Sequence, residues 1–196
     1  YTEMVNRGMV GTSFINTSTT GTPEKLTWEQ IKIMLSNGWD VQCHLHNHIN
    51  LANATEQQII DNLENINAEF IAQSLEPPKH IAYPYGAISG GALNVIAQYR
   101  QSGRIVTNKA ILPYYTDKYA LNCYASGPRT TEDIEDMEQG ILSAIEAGRE
   151  IIFLLHRIKE SAVQYETEPS RFLELLDIIE YYNLETITIS ELYNRL

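Results

Sequence analysis

The chain has 196 residues, 43% of them hydrophobic, enough to bury the core of one domain over residues 1–196, or of two at most. Its net charge of −11 and isoelectric point near 4.8 argue against a nucleic-acid partner and suit a neutral or cationic ligand better than an anionic one. No apolar run approaches the roughly 20 residues of a membrane span.

Strand-like and helix-like segments alternate along the chain. In chain order, the first predicted elements are a strand over Met9–Asn16, a helix from the Thr27 capping box to Leu35, a strand over Asp40–Cys43, a helix from the Thr55 capping box to Leu75 and a strand over His80–Tyr83. Next come a helix over Gly90–Gln101, strands over Arg104–Thr107 and Tyr119–Tyr124, and a helix over Thr131–Ala147. A strand over Glu150–Leu155, a helix over Pro169–Tyr182, a strand over Glu185–Ile189 and a short terminal helix complete the chain. The alternation predicts a largely parallel α/β sheet, either a barrel or a doubly wound layer.

Three of the five histidines, His44, His46 and His48, lie within five residues, directly after a predicted strand. Neutral imidazole is the commonest metal ligand in proteins, and α/β folds build active sites in the loops that follow strands. The cluster therefore predicts a metal site. If the strand continued through all three residues, alternation would place them on one face and indicate a three-His metal hydrolase of the amidohydrolase type.

The two cysteines, Cys43 and Cys123, are too few for a disulfide scaffold. Both lie in apolar stretches, which predicts buried free thiols. Strand alternation points Cys43 away from the face of His44, so we do not expect it to bind the metal.

Other segments with potential chemistry also follow predicted strands. Tyr83–Gly86 follows one of them, and His156 follows another. Because the carboxyl ends of parallel strands meet on one face, these segments and the histidine cluster are predicted to share a pocket. A histidine in such a pocket suits general acid or base chemistry near neutral pH, and the alternative for His156 is a structural hydrogen bond to a nearby carbonyl.

These motifs resemble those of the polysaccharide deacetylase family, metal-dependent enzymes that remove acetyl groups from N-acetylated sugars. His44-Leu45-His46-Asn47-His48 is similar to the family's His-[Ser/Thr]-x-x-His metal motif, with Leu45 in place of the hydroxyl residue. Pro84-Tyr85-Gly86 is similar to the Pro-[Tyr/Phe]-Gly motif, and Leu154-Leu155-His156 to the late Leu-x-His motif. The resemblance spans nearly the whole chain and implies a distorted (β/α) barrel with mostly parallel strands.

The resemblance implies a role for each matched residue. His44 and His48 would be the two histidine ligands of a divalent transition metal, with zinc expected. The backbone N–H of Tyr85 would stabilise the oxyanion, and His156 would protonate the departing sugar amine. The residues expected to contact the acetylated carbohydrate are Tyr83, Pro84 and Tyr85.

The chain departs from the family pattern in two places. The family's first strand carries Thr-Phe-Asp-Asp-Gly, which supplies the catalytic base and a third protein ligand, and this motif does not occur here. Residues 1–5 resemble the helix that follows that strand, so we expect the first strand to be missing. Ala82 stands where the family often has an Arg, and Arg129 is the candidate replacement. Trp39, just before the histidine strand, is a further candidate for substrate binding.

Two interpretations of function therefore remain open beside the three-His one. The first is a metal-dependent deacetylase that cleaves N-acetyl or O-acetyl groups from a polysaccharide or an acetylated sugar. The second is a catalytically inactive, deacetylase-like barrel that binds carbohydrate through some of its 12 Tyr and 2 Trp side chains. The resemblance suggests a location outside the cytoplasm, and no feature of the sequence indicates an oligomeric state.

Overall fold

The computed structural model describes residues 1–106, 112–113, 117–125, 131–163 and 165–196, which belong to two compact units. The first unit comprises Tyr1–Ile105, Lys118–Ala120 and Thr186–Leu196. The second comprises the described residues within Val106–Asp117 and Leu121–Glu185. The expectation of one domain over residues 1–196 stays a prediction.

Helices and strands alternate through the described ranges. The helices are α1 (Thr2–Asn6), α2 (Trp28–Ser36), α3 (Glu56–Ala72), α4 (Gly90–Tyr99), α5 (Thr131–Ala147), α6 (Pro169–Tyr181) and α7 (Ile189–Arg195). The strands are β1 (Thr12–Ile15), β2 (Asp40–Cys43), β3 (His80–Ala82), β4 (Ser102–Arg104), β5 (Tyr124–Ala125) and β6 (Phe153–Leu154). Two 3₁₀ turns, Thr17–Thr19 and Pro84–Gly86, follow β1 and β3. Within the described ranges, each helix is too short or too polar to cross a bilayer.

The first unit contains a four-stranded sheet in the order β1-β2-β3-β4, and every neighbouring pair is parallel. Its register sets Cys43 beside Ile15 on one side and beside Ile81 on the other. Parallel strands run in the same direction, so their carboxyl ends lie along one edge of the sheet. His44 and Tyr83, the residues directly after β2 and β3, therefore lie at this carboxyl edge.

Capping boxes begin the two helices on either side of the histidine segment. The Thr27 hydroxyl accepts from the Gln30 backbone N at 3.2 Å, and the Gln30 side chain accepts from the Thr27 backbone N at 2.8 Å. Thr55 and Gln58 make the same pair of bonds at 3.3 and 2.9 Å. These bonds satisfy amides that have no partner inside the helix, and they confirm the predicted starts of α2 and α3.

Apolar side chains from the sheet, α2, α3 and α4 form the core of the first unit. Representative members are Ile31, Val41, Leu63, Ile66, Phe70, Ile81 and Ile96. Leu45 and Leu51, from the segment after β2, are 0% exposed and belong to the same core. Burial of these two leucines therefore ties the histidine segment to the core.

A polar network closes the amino edge of the same sheet. Asp40 accepts hydrogen bonds from the Ser190 hydroxyl at 2.8 Å and from the Gln42 amide at 2.6 Å. The Gln42 carbonyl oxygen accepts from the backbone N of His80 at 2.9 Å. The buried His80 ring contacts the Ser102 hydroxyl through Nδ1 at 2.8 Å. Because Ser190 lies in α7, the network fastens that helix to the strands.

The second unit is built around the parallel pair β5 and β6, in which Tyr124 lies beside Phe153. Helix α5 begins and ends where the sequence predicts. The Tyr124 hydroxyl donates to the carbonyl of Asp136 at 2.8 Å, which ties β5 to α5. The Tyr182 hydroxyl donates to the Glu138 carboxylate at 2.9 Å and joins the end of α6 to α5.

The strand predictions for the later half of the chain are less accurate. The strand expected over Arg104–Thr107 is wrong in position, because β4 ends at Arg104; Thr107 lies outside the described residues. The strand expected over Tyr119–Tyr124 is the two-residue β5. The strand expected over Glu150–Leu155 is shortened to the two residues of β6. Both are half-buried, so the expectation of a strand buried on both faces of the sheet is wrong.

The strand predicted over Glu185–Ile189 is also wrong. Ile189 is the first residue of α7, and Thr188 is its N-cap. The Thr188 hydroxyl accepts from the Glu191 backbone N at 3.2 Å, and the Glu191 carboxylate accepts from the Thr188 backbone N at 2.7 Å. A capping box therefore overrides the β propensity of Thr-Ile-Thr-Ile.

Both cysteines are buried and free, as the sequence predicts. The Cys43 sulfur accepts from the backbone N of Leu45 at 3.3 Å and from the Arg100 guanidinium at 3.6 Å. Cys43 is therefore part of the core beneath the histidine segment.

Candidate metal centre

Backbone contacts fix His44 at the end of β2. Its N–H donates to the carbonyl of Ile15 at 2.9 Å, so pairing with β1 extends one residue beyond Cys43. The amide of Asn16 donates to the carbonyls of His44 and Leu45. The backbone that carries the first predicted ligand is therefore held by both strands.

The chain changes direction at Leu45, whose φ of 68° lies in the left-handed region. This conformation ends the strand, so His44, His46 and His48 do not alternate along one extended face. The His46 ring contacts the Thr17 hydroxyl through Nδ1 at 2.9 Å. Across the described ranges, no three His, Cys, Asp or Glu side chains are grouped so that they could hold a metal ion. The three-His interpretation is therefore wrong.

The structure brings His44 and His48 together. Their Nε2 atoms are 3.0 Å apart, and their ring centroids are 4.7 Å apart at an interplanar angle of 68°. His44 Nδ1 lies 2.7 Å from the carbonyl oxygen of Ala82. A carbonyl only accepts, so His44 Nδ1 carries the proton and its Nε2 presents a lone pair. This is the tautomer of a metal-binding histidine oriented by an outer carbonyl.

His48 is more exposed than His44, and two rings surround it. Its ring centroid lies 4.7 Å from that of His44 and 4.6 Å from that of Tyr85. Partial burial lowers the pKa of His48 below its ordinary value; a hydrogen bond to its own backbone opposes this shift, and the charge of Lys25 adds to it. A lowered pKa favours the neutral imidazole, which is the form that binds metals.

The two histidines fit a divalent cation as a pair of ligands. Zinc–nitrogen bonds are about 2.0–2.1 Å long, so one ion can contact two Nε2 atoms that are 3.0 Å apart. A catalytic zinc ordinarily has three protein ligands and one open position. The part of the chain that the structure describes contributes only these two side chains at the site.

The tight turn after β3, Pro84–Gly86, contacts the histidine pair through the ring of Tyr85. Tyr83 is wholly buried. Its N–H donates to the carbonyl of Arg104 at 3.1 Å, and its hydroxyl donates to the backbone carbonyl of Tyr119 at 3.0 Å. Pro84 is also buried, whereas Tyr85 is 67% exposed and has a φ of 60°. Of the three predicted carbohydrate contacts, only Tyr85 presents its side chain outward. The binding roles of Tyr83, Pro84 and Tyr85 stay predictions.

Three further site residues were predicted: Trp39, His156 and Arg129. Trp39 precedes β2 and therefore lies at the amino end of the strand that His44 follows; its ring packs edge to face on Tyr1 at 5.4 Å. His156 follows β6 in the second unit, is exposed, and has its ring 6.1 Å from that of Tyr165. Arg129 lies outside the described residues. The functional roles of these three residues stay predictions.

Sequence reasoning did not identify Arg104, a buried arginine at the carboxyl end of β4. Its guanidinium lies 5.7 Å from the centre of the Phe14 ring and donates to the carbonyl of Ile105 at 3.1 Å. The strand predicted over Arg104–Thr107 begins at Arg104, which would place this residue at the amino edge of the sheet. In the structure it lies at the carboxyl edge, because β4 ends there. The sequence signal that could have identified Arg104 is a basic residue at the end of a short strand.

The comparisons with known proteins agree with the resemblance seen in the motifs. A model of the polysaccharide deacetylase family matches residues 3–102, a range that contains β1 to β3, the histidine segment and the turn at Tyr85. Among proteins with curated functions, no match was found.

Solved structures of deacetylases and related proteins share the fold. A Streptococcus pyogenes deacetylase, PplD, solved in complex with acetate, is 24% identical, with a TM-score of 0.56 over 61% of this chain and 54% of its own. A family 4 acetyl xylan esterase from Clostridium thermocellum, solved with a cobalt ion, is 16% identical, with a TM-score of 0.68 over 98% of this chain and 82% of its own. The Bacillus anthracis protein BA3943, a CE4 family pseudoenzyme, is 14% identical, with a TM-score of 0.62 over 97% of this chain and 58% of its own.

These likenesses confirm the predicted fold class, the distorted (β/α) barrel type with parallel strands. The chain spans about half of the length of the Streptococcus pyogenes deacetylase, 54%. An esterase, a deacetylase and a pseudoenzyme share this fold, so activity has to be argued from the site.

Proposed function

The chain belongs to the polysaccharide deacetylase family, and from that membership we propose that it is a divalent-metal-dependent hydrolase that removes acetyl groups from an acetylated carbohydrate. The observation that carries the metal requirement is the 3.0 Å approach of the Nε2 atoms of His44 and His48. The net charge of −11 supports a neutral substrate, or a cationic product such as the amino sugar that N-deacetylation leaves.

His44 and His48 would hold the cation, which we propose to be zinc because two imidazoles suit that metal. When bound, a divalent cation polarises the acetyl carbonyl and activates water at neutral pH. His44 keeps its proton on Nδ1, which donates a hydrogen bond to the Ala82 carbonyl at 2.7 Å. His48 has to release the proton from its Nε2 to become the second ligand.

Tyr85 and His156 would act on the substrate. The backbone N–H of Tyr85 makes no hydrogen bond to a described residue outside its own turn, so it is available to donate to the developing oxyanion. His156, as imidazolium, would transfer a proton to the amine nitrogen as the C–N bond breaks and water supplies the second oxygen of acetate. The late Leu154-Leu155-His156 motif supports this assignment.

A second candidate function is carbohydrate binding without catalysis. Two observations favour it: the described ranges provide no third metal ligand, and one protein with this fold is a pseudoenzyme. In this case the barrel binds an acetylated carbohydrate and leaves its acetyl groups in place.

Acetate release and binding, measured on the same samples, separate the two functions. The chain is incubated with Zn²⁺ and either acetylated chito-oligosaccharide or acetylated xylan, with and without formate as an exogenous carboxylate ligand. Acetate release in either condition supports the hydrolase. If release requires formate, the low activity without formate is due to the lack of a third, carboxylate ligand to the metal. Calorimetric binding without any acetate release supports the second function. If the chain neither binds the carbohydrate nor releases acetate, both functions are contradicted.

We also propose a location outside the cytoplasm. The family resemblance supports it, because members of the family usually act outside the cytoplasm. Detection of the protein with an antibody after fractionation of the source cells tests this, and recovery in the cytoplasmic fraction alone would contradict it.

A further inference from the structure

The two predicted metal ligands are oriented in different ways. The Nδ1 of His44 donates to the carbonyl of Ala82 at 2.7 Å, and this bond fixes both the tautomer and the direction of the ring. In the described part of the chain, the His48 ring hydrogen-bonds only to His44 and to its own backbone. His48 therefore lacks the outer partner on another residue that metal-binding histidines ordinarily have.

The ring of Tyr85, in the turn after β3, contacts the His48 ring. Its ring centroid lies 4.6 Å from that of His48 at an interplanar angle of 73°, which is an edge-to-face contact. Aromatic rings prefer this arrangement at this distance, because a positive ring edge meets a negative ring face. The contact limits the rotation of the His48 side chain, which lies in an exposed loop.

The backbone of Tyr85 is strained in a way that directs this ring. Its φ of 60° is left-handed, a conformation that tyrosine rarely adopts, and the next residue, Gly86, donates to the carbonyl of Tyr83 at 2.9 Å to close the turn. Its side chain is 67% exposed, so burial of the ring does not account for the strain. Strain of this kind is retained where the surrounding structure needs a particular side-chain direction.

We propose that the Tyr85 side chain is a positioning residue for His48. Its ring holds the imidazole so that Nε2 stays 3.0 Å from Nε2 of His44, as the Ala82 carbonyl does for His44. This role is separate from the oxyanion role of the Tyr85 backbone. It rests on the proposed function, in that the two Nε2 atoms are taken to bind a divalent cation.

Three variants of the full chain separate the ring from the backbone. Tyr85→Phe keeps the ring, while Tyr85→Asn removes it and substitutes a residue that tolerates left-handed backbone. His46→Ala is the matched control, because His46 contacts Thr17 rather than the pair. Zn²⁺ affinity is measured by competition with a chromophoric chelator. Loss of an outer partner of a metal ligand costs about 10- to 100-fold in affinity, so we expect a loss of this size in Tyr85→Asn and wild-type affinity in Tyr85→Phe and His46→Ala.

A second measurement needs no metal. Proton NMR of the apo chain reports the ring-current shift that the Tyr85 ring imposes on the ring protons of His48, and this shift should persist in Tyr85→Phe and vanish in Tyr85→Asn. The proposal is overturned if Tyr85→Asn binds Zn²⁺ as tightly as wild type, or if the His48 shifts do not change. If wild type itself binds no Zn²⁺, the proposed metal-dependent function fails, and the NMR result still decides whether the ring orients His48.

Discussion

The side-chain oxygen of Asn62 accepts a hydrogen bond from the backbone N–H of Asn47 at 2.8 Å, which joins α3 to the loop between His44 and His48. The Asn62 amide in turn donates to the carbonyl of Gln58 at 2.9 Å and is buried. One polar side chain of a helix that begins at a capping box therefore helps to hold the loop, together with the buried Leu45 and Leu51.

Replacing Asn62 by Ala should lower both stability and Zn²⁺ affinity. The Asn47 N–H would lose its acceptor, and a hydrogen bond of this kind contributes about 0.5–1.5 kcal/mol to the free energy of unfolding. Denaturant unfolding and Zn²⁺ titration measure the two effects. Asn65→Ala is the matched control, because Asn65 lies one turn further along α3 and is exposed. Equal effects in both variants would show that the loop does not depend on Asn62.

Alanine substitutions in the histidine segment should affect metal binding unequally. Without His44 or His48 one of two ligands is gone, so Zn²⁺ affinity should fall by more than the roughly 10- to 100-fold that an outer partner contributes. His46→Ala should keep the affinity, since its ring contacts the Thr17 hydroxyl. Isothermal titration with Zn²⁺ measures all three variants. A large loss in His46→Ala would restore the three-His interpretation.

Replacing His156 by Gln should slow acetate release and leave Zn²⁺ affinity unchanged. A general acid contributes about 10²- to 10⁴-fold to rate, and glutamine cannot supply a proton at neutral pH. Steady-state kinetics on an N-acetylated oligosaccharide, with the pH profile of the variant, test the assignment. Unaltered kcat with an unaltered pH profile would leave His156 with a structural role only.

The buried His80 should make stability depend on pH. Burial lowers the pKa of its imidazole; the charge of Asp40 opposes the shift and that of Lys79 adds to it, while Ser102 and Tyr193 are its uncharged neighbours. The unfolded chain takes up this proton near pH 6.5, before the folded chain does, so folding stability falls as the pH drops below about 6.5.

The slope from one such proton is at most about 1.4 kcal/mol per pH unit. His80→Gln removes the titrating group, and its stability should fall less than that of wild type between pH 7.5 and 5.5. Urea unfolding at several pH values measures both proteins. Parallel curves for the two proteins would exclude His80 as the source.

Gly103 should not tolerate a side chain. A Cβ at this position would lie 1.9 Å from the hydroxyl oxygen of the buried Tyr83 and 2.3 Å from its Cζ. Gly103→Ala should therefore cost about 1–3 kcal/mol of stability, as overpacking does, and Tyr83→Leu in the same chain should recover part of the loss. Gly91→Ala, whose Cβ would meet no atom within 4 Å, should be neutral or stabilising in thermal unfolding.

Local signals predicted much of the first unit. Strand β2 begins and ends where the sequence indicates, and the capping boxes at Thr27 and Thr55 set the starts of α2 and α3. These features depend on residues close in sequence, so a single sequence reveals them. The strand predicted over Glu185–Ile189 is wrong because the capping box at Thr188, which is equally local, starts a helix where β propensity alone favours a strand.

The proximity of His44 and His48 was also predictable, because they are four residues apart after a strand. The groups that contact the two histidine rings could not be predicted in this way. The Ala82 carbonyl and the Tyr85 ring reach the histidines only because β2 pairs with β3 in the register that sets Cys43 beside Ile81. That register depends on packing between segments nearly forty residues apart, which spacing within one motif cannot indicate.

The backbone reversal at Leu45 has a consequence for how the centre would bind its ion. Burial of a leucine contributes about 1.5–3 kcal/mol, which offsets the cost of about 1–3 kcal/mol for its left-handed φ of 68°. The loop cannot swing outward without hydrating that side chain. The pair of His44 and His48 is thus preorganised. A chelator that removed a bound ion would leave both side chains in place, and rebinding would be a local step rather than a refolding event.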